Sequence, residues 1–154
     1  MSSSTVSGRQ GDWVEVGEDQ IEPQRVIAAV AGPANGAVVL FLGTVRDHSE
    51  GRHGVTHLEY EAYQEVVERK IAEVVSEARE QWPLDKVAAI HRTGSLAVGE
   101  VSVAVAVGAA HRVEAFAAAR YVIDELKARA PIWKKEHWPG GADWVREDLE
   151  HQHG

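Results

Sequence analysis

The chain of 154 residues contains no cysteine. That excludes disulfides, a thiolate nucleophile and any cysteine-bound metal. Long hydrophobic runs are missing too. The longest apolar stretches, such as GAVVLFLG at 36–43, fall far short of the ~20 residues that a membrane helix needs. The opening MSSSTVSGRQ lacks the apolar segment of a signal peptide and is expected to be a disordered tail. Positive charge is scarce. Sixteen Lys and Arg against 24 Asp and Glu give a formal charge of −8. Phosphate backbones would be repelled at long range, which argues against a general nucleic-acid binder. No zinc signature, P-loop or dinucleotide fingerprint is present, and GAVVLFLG has the wrong glycine spacing for the last two. The eight histidines are scattered, with no pair at i, i+4 on one helix, so no metal site is expected. These absences fit a cytoplasmic protein.

What is present suits one folded domain. Hydrophobic residues make up 44% of the chain, enough for a core, and charged residues 26%. DWVEVGEDQI (12–21) alternates and reads as a short strand. EPQRVIAAVAG (22–32) reads as a short helix with Pro23 in its first turn. GAVVLFLGTVR (36–46) reads as a buried strand in which Gly43 is expected to mark a bulge or a close backbone approach. DHSEGRHG (47–54) is a polar loop. VTHLEYEAY (55–63) alternates as a half-buried strand. Val67, Ile71, Val74, Val75, Ala78 and Trp82 recur at helical spacing up to Pro83.

Two further strands, 86–94 and 100–110, are expected to be linked through SLAVG. A helix from 111 to 130 is expected to follow, with Val113, Phe116, Ala117, Ile123 and Leu126 toward the core, and Pro131 ends it. IWKKEHW and ADWV read as closing strands around PGG. The class is α+β, with a mostly antiparallel sheet and two main helices. The expected organisation is a disordered tail at 1–12, a single catalytic domain at 13–146 and a flexible tail at 147–154.

The scarce cations gather at element boundaries. Arg46 ends the strand 36–46, and His91 with Arg92 ends the strand 86–92. His111 and Arg112 stand at a helix N-terminus, where the partial positive charge disfavours cations but would welcome an anion beside them. Lys127 closes a helix, and Lys134 and Lys135 follow beyond Pro131. For any one of these, a solvated charge is the plainer reading. Together they suggest a cleft for a small anion, provided that they converge in space. Trp133 and Trp138 read as packing. Glu59 and Glu61 read as a solvated strand face.

Several stretches together resemble the large, catalytic subunit of molybdopterin synthase. They are GAVVLFLGTVRDH (36–48), LEYEAY (58–63), HRTGSLAVGEVSVAVAV (91–107), the His111–Arg112 pair with AF at 115–116, and IDELKARAPIWKKE (123–136) with Trp144 beyond. The match runs from about Trp13 to Val145 in one order. The resemblance implies an α/β-hammerhead-like fold and a homodimer within a heterotetramer. It implies a sulfurtransferase of molybdenum cofactor biosynthesis that needs no cofactor of its own. A small ubiquitin-like partner would present a C-terminal Gly-Gly bearing a thiocarboxylate. Two sulfurs would pass to cyclic pyranopterin monophosphate and form the molybdopterin dithiolene.

By the same resemblance Lys127 and Lys134 are the catalytic lysines. Arg46, His111, Arg112 and Phe41 bind substrate, with Lys135 secondary and Arg146 reaching toward the neighbouring subunit. The chemistry suits these residue types. A phosphate-bearing substrate and an anionic sulfur donor both need cations, and arginine can grip phosphate with a bidentate fork. A lysine crowded by other cations and partly desolvated releases its proton more readily, which would let it act as acid or base. A docking scaffold without turnover and a small phosphohydrolase are the competing readings. The second lacks an evident nucleophile or metal set.

Overall fold

The described residues of the computed structural model are 6–7, 11–49, 52–139 and 141–146. In chain order the first half comprises β1 (Val6–Ser7), β2 (Trp13–Gly17), α1 (Pro23–Val30), β3 (Ala37–Thr44), β4 (His48–Ser49), β5 (Arg52–His53), β6 (His57–Glu61) and α2 (Gln64–Gln81). The second half comprises β7 (Val87–Arg92), β8 (Gly94–Ala97), β9 (Val101–Ala109), α3 (Arg112–Arg129), β10 (Trp133–Trp138) and β11 (Gly141–Arg146). Five strands form one sheet in the order β1-β2-β7-β9-β3, and four form another in the order β11-β10-β6-β8. The β2–β7 pair is parallel, and the other strand pairs are antiparallel. The class is α+β, as the sequence implied.

The unalternating runs VAAIHR and VSVAVAVGA are explained by burial on both faces of the five-stranded sheet. Val87, Ala89, Val103, Val105 and Val107 face the core shared with α2 and α3. Ala88, Ile90, Ala104 and Ala106 face the smaller core under α1. Alanines on that second side leave little bulk, so a helix of only eight residues can lie close and close the layer. In α2 the expected stripe Val67, Ile71, Val74, Val75 and Ala78 is buried.

Several expectations need correction. The SLAVG link is in part a strand. Gly94, at φ +86°, redirects the chain out of the first sheet. Leu96 then pairs opposite Leu58 in the second sheet and is fully buried. Within 47–54, read as a loop, β4 and β5 form a short antiparallel pair. Val113 and Phe116 do not face the core. They are 71% and 63% exposed, because α3 buries the stripe Ala115, Ala118, Ala119, Val122, Ile123, Leu126 instead. With alanine on several sides of the helix, hydrophobic pattern alone could not orient it. The expected tail 1–12 also ends earlier than drawn: Val6–Ser7 pair with β2, and Asp12 is buried. The tail expectations for 1–5, 8–10 and 147–154 lie outside the described residues.

The Gly43 expectation agrees with the pairing. The β3–β9 register shifts between Gly43 and Thr44. A Cβ on Gly43 would stand 2.6 Å from Val103 Cγ1, so the strands approach more closely there than a side chain permits.

Candidate functional site

Strand alternation decides which lysine of the KK pair turns inward. Lys134 lies opposite Tyr60 in the β10–β6 register and is 7% exposed. It shares the inner face of the second sheet with Tyr60, Leu58 and Leu96, all buried. Glu136, two residues on and therefore on the same face, is 2% exposed. Its Oε2 lies 3.9 Å from Lys134 Nζ, so a buried ammonium is held beside a buried carboxylate. Glu136 was not singled out from sequence, although the K-x-E spacing on a strand would have signalled it. Lys135 points the other way. Its ammonium lies 5.4 Å from the centre of the Trp144 ring, a cation–π contact on the outer face.

Lys127 is half-buried in the last turn of α3, beside the buried Leu126 and four residues after the buried Ile123. The helix ends at Arg129, and Pro131 prevents its continuation. Three residues, Ala130–Ile132, then carry the chain from α3 into the strand that bears Lys134.

Arg46 is exposed just beyond β3, after the buried Val45. His111 and Arg112 are exposed at the start of α3, with His111 as its N-cap residue. These two groups sit at opposite ends of the sheet. Ala37 of β3 pairs with Ala109 of β9, whereas Thr44 pairs with Val101. Seven residues of extended chain separate the two ends, about 23 Å. The helix α3 packs against β9 and β3. Following β9 after a two-residue link, it must run back along the sheet, which carries Lys127 toward the Arg46 end. The chain thus carries Arg46, Lys127 and Lys134 toward one end and His111 with Arg112 toward the other. Phe41 lies between, 38% exposed on the outermost strand of its sheet. The backbone of Arg146 pairs with Trp133 at the end of β11, but its side chain lies outside what is described.

His91 and Arg92 leave the candidate set. The His91 ring is fully buried, with Nδ1 2.7 Å from the Arg92 carbonyl oxygen and a T-shaped contact with the Tyr60 ring. Arg92 donates to Glu100 and to the Glu18 carbonyl. This basic boundary is a packing feature. A groove of about 960 Å³ opens over the outer side of the second sheet, lined among others by Tyr63, Pro131, Trp133, Trp144, Glu59 and Glu61. Arg46, His111, Arg112, Lys127 and Lys134 are not among its lining residues. With aromatic walls and carboxylates it is the wrong sign for an anionic substrate.

On the outer face the β10–β6 register also pairs His57 directly with His137. Their rings stack at 4.1 Å and 12°. His137 Nε2 lies 2.5 Å from Glu59 Oε1. That hydrogen bond is the main influence holding the Glu59 carboxyl below the usual carboxylate range.

An α+β scaffold that buries one lysine beside a carboxylate, and holds a second at an adjoining helix end, has a family. The model described as MoaE protein matches residues 16–129. The chain is 43% identical over 133 residues to the molybdopterin synthase catalytic subunit of Halalkalibacterium halodurans, covering 86% of this chain and 85% of that one. It is 44% identical over 128 residues to molybdopterin synthase catalytic subunit 1 of Mycobacterium tuberculosis, covering 83% and 86%. The crystal structure of molybdopterin synthase from Staphylococcus aureus superposes with a TM-score of 0.81 at 35% identity, covering 86% of this chain and 96% of that one. The chain belongs to the MoaE family.

Proposed function

We propose that this chain is the catalytic subunit of a molybdopterin synthase. It is a sulfurtransferase that moves two sulfurs from the thiocarboxylated C-terminal glycine of a small ubiquitin-like partner to cyclic pyranopterin monophosphate. The observation that carries this reading is the family match across residues 16–129, with relatives of nearly full coverage named as catalytic subunits. A subunit so named works with another, which supports a separate sulfur-carrying partner.

In this reading Lys127 contacts the terminal carbonyl of the partner's tail and moves protons as the thiocarboxylate sulfur bonds to a pterin carbon and water then cleaves the acyl C–S bond, leaving the sulfur on the pterin and a carboxylate on the tail. Lys134, already in a desolvated setting, stabilises the negative charge that develops and then the released carboxylate. Desolvation strengthens that interaction, because the surrounding dielectric is far below that of water. Arg46, His111 and Arg112 bind the phosphate and pterin side, Phe41 lines it, and Lys135 and Arg146 contribute from the rim.

A homodimer would reconcile the two distant cationic ends. The outer edge of β3 borders the five-stranded sheet, and Val38 and Phe41 on it are exposed, as are Val113 and Phe116 on α3. Such a set of large apolar side chains suits a protein contact. A two-fold axis across β3 would turn the Thr44 end of one protomer toward the Ala37 end of its partner. Arg46, Lys127 and Lys134 of one protomer would then approach His111 and Arg112 of its partner. With a small subunit on each protomer the assembly is a heterotetramer, and it works in the cytoplasm.

The test is single-turnover conversion of cyclic pyranopterin monophosphate with pre-thiocarboxylated partner. Lys127→Ala is expected to lower the rate by at least about 10²-fold, the scale of a lost proton-transfer group. Near-normal product formation would sink the role given to Lys127.

A further inference from the structure

We infer that His57, Glu59 and His137 form a zinc site on the outer face of the second sheet. These residues have no part in the sulfur-transfer reading above. Each offers one ligand atom, and the three atoms lie within 4.8 Å of one another. Two imidazoles and one carboxylate are a ligand set that zinc accepts, with further positions left for water or an anion. Around a tetrahedral ion with bonds of about 2.0–2.1 Å, ligand atoms stand about 3.4 Å apart. The 2.5 Å contact between His137 Nε2 and Glu59 Oε1 must therefore open by about 1 Å. No pair has to close by more than about 1.4 Å, since all three atoms lie within 4.8 Å of one another. Both are side-chain rotations on a half-exposed face, since the His137 and Glu59 side chains are 24% and 42% exposed.

The backbone already sets the approach. His57 and His137 are a direct cross-strand pair, and Glu59 is two residues from His57 on the same face. The rings stack face to face at 12°, so one ring must rotate out of the stack to bring both in-plane nitrogen lone pairs onto one ion. Thr56 Oγ1 lies 3.2 Å from His57 Nδ1. A partner on one ring nitrogen fixes the orientation of the ring and leaves Nε2 for the metal. The carboxylate is ionised at neutral pH, and the imidazoles need only be neutral, so the set carries one negative charge toward a divalent cation. An ion here ties β6 to β10, the strand that bears Lys134 on its opposite face.

The experiment is calorimetric titration of Zn²⁺ into the metal-free full-length chain in a non-coordinating buffer, repeated with Co²⁺ and read by its visible absorption. Parent protein is compared with His57→Ala, His137→Ala and the shape-preserving Glu59→Gln. A His151→Ala/His153→Ala double variant controls for the histidines near the C-terminus. One equivalent is expected to bind to the parent and to the double variant with equal affinity. Each site variant is expected to bind at least about tenfold more weakly and to lose the Co²⁺ bands. Unchanged binding in the site variants, or binding abolished in the double variant, overturns the assignment.

Discussion

Removing the Asp12 carboxylate is the sharpest test of how the scaffold is held. Asp12 is 3% exposed, and the Arg79 side chain opposite it 10%. Arg79 grips it with two groups: Nε donates to Oδ2 at 2.7 Å and Nη2 donates to Oδ1. The Val87 backbone N–H donates to Oδ1 as well, at 2.9 Å. One carboxylate therefore ties the start of β2, the end of α2 and the first residue of β7. In Asp12→Ala the guanidinium stays buried and loses this carboxylate. Breaking one side of such a pair typically costs about 3–5 kcal/mol. The carbonyls of Leu84 and Asp85 still accept from Arg79, which places the cost near the lower end, about 3 kcal/mol. A domain of this size is stable by about 5–15 kcal/mol in total. At about 2–4 °C per kcal/mol, Tm should fall by about 6–12 °C. Urea unfolding and thermal melts followed by circular dichroism measure both quantities. Adding Arg79→Met to Asp12→Ala removes the buried guanidinium charge and should recover part of the loss. A loss below about 1 kcal/mol in the single variant would refute the argument that this buried pair organises three elements.

Two other outcomes follow from the geometry. Glu77 on α2 accepts from Arg129 Nη1 at 2.8 Å and Nη2 at 3.0 Å, and from the Tyr121 hydroxyl at 2.8 Å. The Arg129 hydrogen bonds first, then the Tyr121 hydroxyl, hold its carboxyl down to about 2 from an ordinary 4.5. A depressed folded-state value stabilises fully above about pH 4.5 and is lost as pH falls through about 2. Glu77→Gln should therefore melt below the parent at pH 7, with the gap closing toward pH 2; an equal gap at both pH values contradicts the linkage. Phe41→Asp places a charge on the exposed β3 edge and should shift the proposed dimer toward monomer in sedimentation velocity, with the monomer still folded. A dimer unaffected by that charge moves the proposed contact elsewhere.

Much of the architecture could be read from local pattern. The spacing of Val67, Ile71, Val74 and Ala78 has one low-energy solution, a helix with that stripe buried. Pro131 requires a break, and period-two alternation then turns Lys134 and Lys135 to opposite faces, as they are. The resemblance in LK…PIWKKE led to the family for the same reason: short-range chemistry is written in adjacent residues. Long-range pairing is not. Val113 and Phe116 look like core residues until the tertiary packing of α3 selects its alanine-rich face instead. His91 and Arg92 read as site cations until Tyr60, Glu100 and the Glu18 carbonyl close around them.

By itself, then, the sequence determined most of the elements, their class, the family, and that Lys134 and Lys135 turn to opposite faces past Pro131. Only the tertiary structure decided the strand register. Register seats His57 on His137 across eighty residues of chain, sets Lys134 against Tyr60 in the buried interior, and holds Arg46 a full strand length from His111 and Arg112. The physical reason is that helix and strand periods depend on neighbours within a few residues. Which strands meet, and at what offset, is settled by burying the whole set of apolar faces at once.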